Sequence, residues 1–233
     1  PNGKVLIAGG CTGCGGNGGA ATFLSSTELY DPGANVFSAV PAMNTLRAFN
    51  TATLPPNGKV LLGGGAAVIT IVNGVPTGGG ALKSTELYDP VTNTFAAPIN
   101  TASMSAFRER HTATLLPNGK VLIAGGDDNV SVPNSLVILN STELYDPATN
   151  TFSSGPSMKV GRFGAGASIF DTGTEVLIAG GYVDAGNDST TATNTVELYD
   201  VATNTFEATP LPMAAPHIPI SILTANSFVL LCR

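Results

Sequence analysis

Few side chains in this 233-residue chain could do chemistry, and their spacing narrows what that chemistry could be. Asp127-Asp128-Asn129 and Asp184-Ala-Gly-Asn-Asp188 bring carboxylates together over short stretches, an oxygen-rich arrangement that suits calcium. Asp127, Asp128, Asp184 and Asp188 are therefore candidate cation ligands, and solvated turns account for them equally. Cys11 and Cys14 have the spacing of half a zinc site. A structural zinc wants four ligands, and the two histidines, His111 and His217, lie in other parts of the chain, so a loop disulfide or free thiols fit better. Gly13-x-Gly15-x-x-Gly18 spells a dinucleotide fingerprint but opens no helix whose N-terminus could take a pyrophosphate. No Gly-x-Ser-x-Gly, His-Glu-x-x-His or Walker string occurs, so none of the chemistries those strings carry is signalled.

Another set of polar residues recurs at a fixed spacing. Met43/Arg47, Met104/Arg108 and Met158/Arg162 repeat Met-x-x-x-Arg, and Met213 is followed by His217 at the same distance. Arg47, Arg108, Arg162 and His217 could together grip an anionic partner. Each could instead pair with a carboxylate that recurs with it: Glu28, Glu86, Glu143 or Glu197. A residue that returns once per repeat is more commonly architecture than site.

The elements that must position these residues are four copies of one unit. Ser26-Thr-Glu-Leu-Tyr-Asp-Pro32 returns at Ser84 to Pro90 and Ser141 to Pro147, and Thr195-Val-Glu-Leu-Tyr-Asp-Val201 closes the series. Each copy runs into Asn-x-Phe at Phe37, Phe95, Phe152 or Phe206, and each follows an apolar run ending in two glycines. Self-similarity over tens of residues means one supersecondary unit stacked on copies of itself. Within the third copy, Thr112 to Leu116 and Lys120 to Ala124 read as strands joined at Pro117-Asn-Gly119, where Asn-Gly predicts a type I′ turn. Ser141 to Tyr145 is a third strand, Asp146-Pro a tight turn, and Thr151 to Ser153 the start of a fourth.

Four short antiparallel strands per unit, repeated, is the pattern of a β-propeller blade. The diglycine after the second strand, the tyrosine in the third and the aromatic in the fourth resemble kelch repeats, over nearly the whole chain. Phe stands where kelch units usually carry Trp, and the phrasing is nearest to kelch-repeat proteins of bacteria, often exported. The resemblance implies an all-β, kelch-type β-propeller. About four blades are visible, at approximately 1–47, 48–108, 109–162 and 163–217, with a partial unit at 218–233. The expectation is one propeller domain or fragment, an incomplete ring whose neighbours could be further blades of the same chain. Galactose oxidase belongs to the wider group, but its copper site needs residues that this chain spends on repeated positions.

Composition narrows the function classes. Net charge is −6, with ten basic residues and no Lys/Arg cluster, which argues against a nucleic-acid partner. No apolar run approaches the ~18 residues of a helical membrane span. Strand parity sends the tight Asn-Gly and Asp-Pro turns to one end of the blades. The long, dissimilar stretches Cys11 to Ser25, Ala66 to Lys83, Asp127 to Asn140 and Tyr182 to Asn194 go to the other end. Insertions gathered on one face of a repeat protein often mark its binding face. Val68, Ile69, Ile71, Val72, Leu136 and Ile138 are unusually apolar for loops and complete the candidate binding set, and their segments could equally extend the third strand or pair locally. The expected function is a non-catalytic binding module for a protein or carbohydrate, with no cofactor beyond the calcium candidate. The alternatives are a carbohydrate-active or oxidase-type enzyme and a structural segment of a larger surface protein. Low lysine content and an acidic pI near 4.7 suit an extracellular or cell-surface setting, and the cysteine count leaves a cytosolic one open.

Overall fold

A computed structural model of the chain describes residues 3–13, 22–68, 71–72, 75–76, 79–130, 136–170, 174–187, 189–207, 213–215, 219–224 and 227–232. Among the described residues its elements are strands and a 3-10 turn at Pro98–Asn100. The chain divides into two compact units, Pro1–Glu109 and Arg110–Arg233, a division close to the expected boundary between the second and third repeats.

Each repeat is a sheet. In the second unit, Thr112–Leu115, Val121–Ala124, Thr142–Asp146 and Thr151–Ser154 follow one another in antiparallel order, as do Gly166–Phe170, Glu175–Ala179, Val196–Asp200 and Thr205–Glu207. The partial repeat is the antiparallel hairpin Pro219–Thr224 with Ser227–Cys232. In the first unit, the second blade runs Thr51–Thr53, Val60–Gly63, Gly79–Asp89, Thr94–Phe95. The first blade pairs Val5–Ala8, Thr27–Asp31 and Val36–Val40.

The second strand of a blade is apolar on both faces because both are covered. Val121 and Ile123, on one face, are 0% exposed, and Leu122 and Ala124, on the other, pack in a core with Leu116, Val176, Ile178 and Tyr199. The equivalent Val5 and Ile7 of the first blade are 53% and 46% exposed, because Val5–Ala8 is an edge strand among the described residues.

The phrase Tyr-Asp-Pro…Asn-x-Phe is explained by its turn. The aspartate side chain accepts backbone N–H groups two or three residues on, as from Ala148 to Asp146 at 2.9 Å and from Thr203 to Asp200 at 2.7 Å. The asparagine then adopts a left-handed conformation in every copy, with φ of 54°, 55°, 52° and 55° at Asn35, Asn93, Asn150 and Asn204. Its Oδ1 accepts the tyrosine hydroxyl at 3.0, 2.8, 3.1 and 2.9 Å. The tyrosine ring packs on the phenylalanine that follows the asparagine by two residues, with centroids 4.9 to 5.4 Å apart.

The structure corrects one expectation and decides between two alternatives for another. The Pro-Asn-Gly connection is not a type I′ turn. Gly58 and Gly119 alone have positive φ there, 78° and 82°, and Leu116 N–H donates to the Lys120 carbonyl at 2.8 Å while Gly119 N–H donates to Leu116 at 2.9 Å. That is a three-residue hairpin loop ending on a left-handed glycine. The four dissimilar stretches are also more than loops. Cys11–Thr12 pairs with Thr22–Phe23, Asp127–Asp128 with Val137–Ile138, and Tyr182–Gly186 with Ser189–Ala192. In the second blade, Gly79–Asp89 runs on past its sheet to pair with Ala66–Val68, and Ile71–Val72 pairs with Val75–Pro76.

Candidate functional site

The recurring arginines are interior. Arg47, Arg108 and Arg162 are 0%, 0% and 1% exposed. Arg47 Nε donates to Glu86 Oε1 at 3.1 Å, and its NH1 donates to the Gly64 and Ser84 carbonyls at 2.9 Å each. Arg162 repeats the pattern with Glu197 at 3.0 Å and the Gly180 and Thr195 carbonyls. Glu197 also accepts the Lys159 and Val160 backbone N–H groups at 2.7 and 3.0 Å, as Glu86 does from Asn44 and Thr45. Burial lowers the Arg47 pKa, opposed by the Glu86 charge. Arg47 and Arg162 thus latch one blade's exit segment to the next blade's third strand. Their backbone carbonyls accept N–H from Gly10 and Gly126 at 2.7 and 2.9 Å. A side chain at the latter, with φ of 92°, would be strained. Arg47, Arg108 and Arg162 therefore leave the set of residues able to meet a ligand at the surface, because the fold has dried them.

What varies lies immediately beyond this latch. The residue after the arginine bridges the residue after the diglycine: Ala48 with Ala66, and Phe163 with Tyr182. Both bridges carry paired N–H···O bonds of 2.7 to 3.1 Å. One residue further on, the backbone is again left-handed, and Phe49, Arg110 and Gly164 occupy it with φ of 57°, 53° and 62°. The frame repeats and its side chains do not.

In the second unit those positions converge. Arg110 donates from Nε and NH2 to the two oxygens of Asp127 at 2.9 and 2.6 Å. Its guanidinium carbon lies 4.3 Å from the Phe163 ring centroid, and Phe163 stacks on Tyr182 with centroids 5.2 Å apart and planes at 20°. Asp127 is 0% exposed and Asp128 4%, whereas the Arg110 side chain is 36% exposed. His111 is buried beside them in sequence.

Of the calcium candidates, Asp127 is committed to Arg110 and Asp128 accepts the Val130 N–H at 2.8 Å. Asp184 accepts the Gly186 N–H at 2.7 Å. Asp188, His217, Ile69 and Cys14 lie outside the described residues. No group of three or more His, Cys, Asp or Glu is placed to hold a metal among the described residues. Val68 and Ile71 fall in short strands, Leu136 is exposed, and Ile138 is half-buried in the hairpin opposite Asp127. Cys11 is disulfide-bonded. Arg110, Phe163 and Tyr182 are absent from the candidates that motif and spacing suggest. Aligning the repeats on their arginines and diglycines, and asking which aligned columns differ, is the signal that finds them.

A recess of about 230 Å³ in the first unit is no rival site. It is lined by Leu6, Leu29, Leu54, Val60 and Tyr88, the repeat equivalents of Leu122, Leu144, Ile169, Val176 and Tyr199. In the second unit those residues surround the buried Leu116.

The kelch motif profile matches residues 1–44 and 110–159. An F-box/kelch-repeat protein of Arabidopsis thaliana is 26% identical over 98 residues, which are 41% of this chain and 26% of that protein. The matched stretch therefore spans about a quarter of that relative's length. The solved structure of YjhT is similar with a TM-score of 0.71 at 16% identity, covering 99% of this chain and 69% of the other. At that identity the likeness speaks for the fold alone.

Proposed function

We propose, for a chain that is a kelch-repeat protein of the β-propeller class, a non-catalytic binding role: its variable hairpins present one end of the blades to a protein or carbohydrate partner. The observation that carries this reading is the division between frame and payload. The latch, the diglycine and the Tyr–Asn–Phe turn recur from blade to blade, while the bridged positions beyond them change from Ala48–Ala66 to Phe163–Tyr182. Sequence freedom on a fixed frame is how repeat scaffolds carry recognition. The enzyme alternative draws on the polar convergence at Arg110, Asp127 and Asp128. A fully buried aspartate held by two donors on one edge of a guanidinium is poorly placed to exchange a proton with a substrate, which favours binding. An extracellular or cell-surface setting is part of the proposal and is supported by the disulfide at Cys11, since such bonds persist in oxidising compartments.

The test is a screen of the full chain against glycan and protein arrays, beside a variant whose stretches 127–140 and 182–194 are replaced by short Asn-Gly turns. Binding that disappears in the variant, with far-UV circular dichroism unchanged, supports the reading. Retained binding, or turnover of a captured glycan, refutes it.

A further inference from the structure

The Arg110 cluster is more than one variant of the blade frame. Phe49 and Gly164 occupy the same left-handed position in the neighbouring blades, so blade architecture does not require an arginine there. A left-handed non-glycine residue is strained, and burying Asp127 completely carries a further desolvation cost. In the second and fourth blades the position of Asp127 is Ala66 and Tyr182, and the frame holds with neither charge. Arg110 also differs from the latch arginines in remaining 36% exposed while its plane is fixed, by Asp127 on one edge and by Phe163 beneath. A preorganised, partly exposed guanidinium on an aromatic support, at the end where insertions gather, is a built site.

Its electrostatics select the ligand. Arg110 and the buried Asp127 form one ion pair there, in a chain of net charge −6. The edge of the guanidinium best shaped for a carboxylate already holds one. An incoming anion would therefore add repulsion without gaining the bidentate contact, whereas a neutral hydroxyl or carbonyl oxygen meets no such penalty. The half-buried Tyr182 ring, stacked on Phe163, supplies apolar surface near the charged pair. A fixed polar group beside an aromatic ring can orient a small ligand. We infer that Arg110 and Tyr182, held in place by the buried Asp127 and Phe163, form a binding site for a neutral, hydroxyl-rich ligand, a saccharide unit of a carbohydrate. The inference rests on the binding-module reading and names its ligand class.

Saturation-transfer NMR and titration calorimetry on the full chain would test it. The probes are methyl glucoside, methyl galactoside and N-acetylglucosamine, with glucuronate and galacturonate as anionic counterparts. Arg110→Gly made together with Asp127→Ala copies residues that neighbouring blades carry at these positions and orphans no buried charge, and Tyr182→Ala copies Ala66, so both variants suit the frame. The expected result is saturation transfer to at least one neutral sugar, with affinity falling tenfold or more in each variant. Tighter binding of a uronate than of every neutral sugar would overturn the inference, as would affinity unchanged in both variants. If no neutral sugar binds but the array screen returns a protein partner, the saccharide site fails and the binding module stands. If neither experiment finds a partner, both fail.

Discussion

Removing the carboxylate from the Arg162–Glu197 latch tests whether blade-to-blade ion pairs hold this fold. Arg162 is 1% exposed and makes four hydrogen bonds, to the Gly180 and Thr195 carbonyls, to Thr195 Oγ1 and to Glu197 Oε1. In Glu197→Ala the guanidinium keeps three of these partners but loses its counter-charge in a dry setting. The Lys159 and Val160 N–H groups lose their acceptor too, although Val160 is 40% exposed and water can replace it there. Most of the cost therefore falls on the guanidinium, and the expected loss is about 3–5 kcal/mol, the usual result of orphaning one member of a buried pair. Arg162→Met with Glu197→Leu should cost less than the sum of the two single changes, with a coupling of about 2 kcal/mol. The chain has no tryptophan, so urea unfolding is best followed by hydrogen exchange of amides in the second unit, beside tyrosine fluorescence. A loss under ~1 kcal/mol for Glu197→Ala, the range of an exposed pair, would refute the reasoning, as would additive single and double variants.

Two further outcomes follow from the turn. Asn204→Ala should cost about 2 kcal/mol, one part for forcing φ of 55° on alanine and one for the Tyr199 hydroxyl bond. Asn204→Gly should lose only the bond, and equal losses in the two variants by urea unfolding would sink the account. The turn aspartates Asp31, Asp89, Asp146 and Asp200 are held below the usual value of 3.8, chiefly by backbone N–H donors. A depressed carboxylate contributes stability that is present above its unfolded pKa and lost as pH falls through its folded one. Stability should therefore decline below about pH 4 for this reason, and Asp146→Asn should flatten the decline. A midpoint profile below pH 4 with the same slope in that variant would count against it.

How much is legible in the chain follows from how local each interaction is. The Tyr–Asn–Phe turn is closed within a few residues and its parts recur in every copy, so its strands and its tight turn show in the residue order alone. The diglycine marks a place of close approach, since the backbone conformation it permits is a property of glycine itself. The form of the turn at Pro-Asn-Gly is not legible in this way, because the hairpin's register decides whether the asparagine joins the glycine in the left-handed region. The pairing of the dissimilar stretches into hairpins is hidden as well. Asp127 opposite Ile138 and Tyr182 opposite Ala192 share no sequence pattern, and only the emergence of the two flanking strands side by side brings them together.

By itself, the sequence determined the repeat, the all-β class, the blade and the end of the blade where variation collects, since periodicity and turn chemistry act over a few residues. Tertiary structure decided which charges are interior and which can meet a partner. Arg108 and Arg110 are two residues apart and chemically identical, yet one is 0% exposed and the other's side chain is 36% exposed against Phe163. Such a difference depends on residues distant in the chain: the buried Arg162 draws its acceptors from Gly180, Thr195 and Glu197, and the partly exposed Arg110 lies over the Phe163 ring.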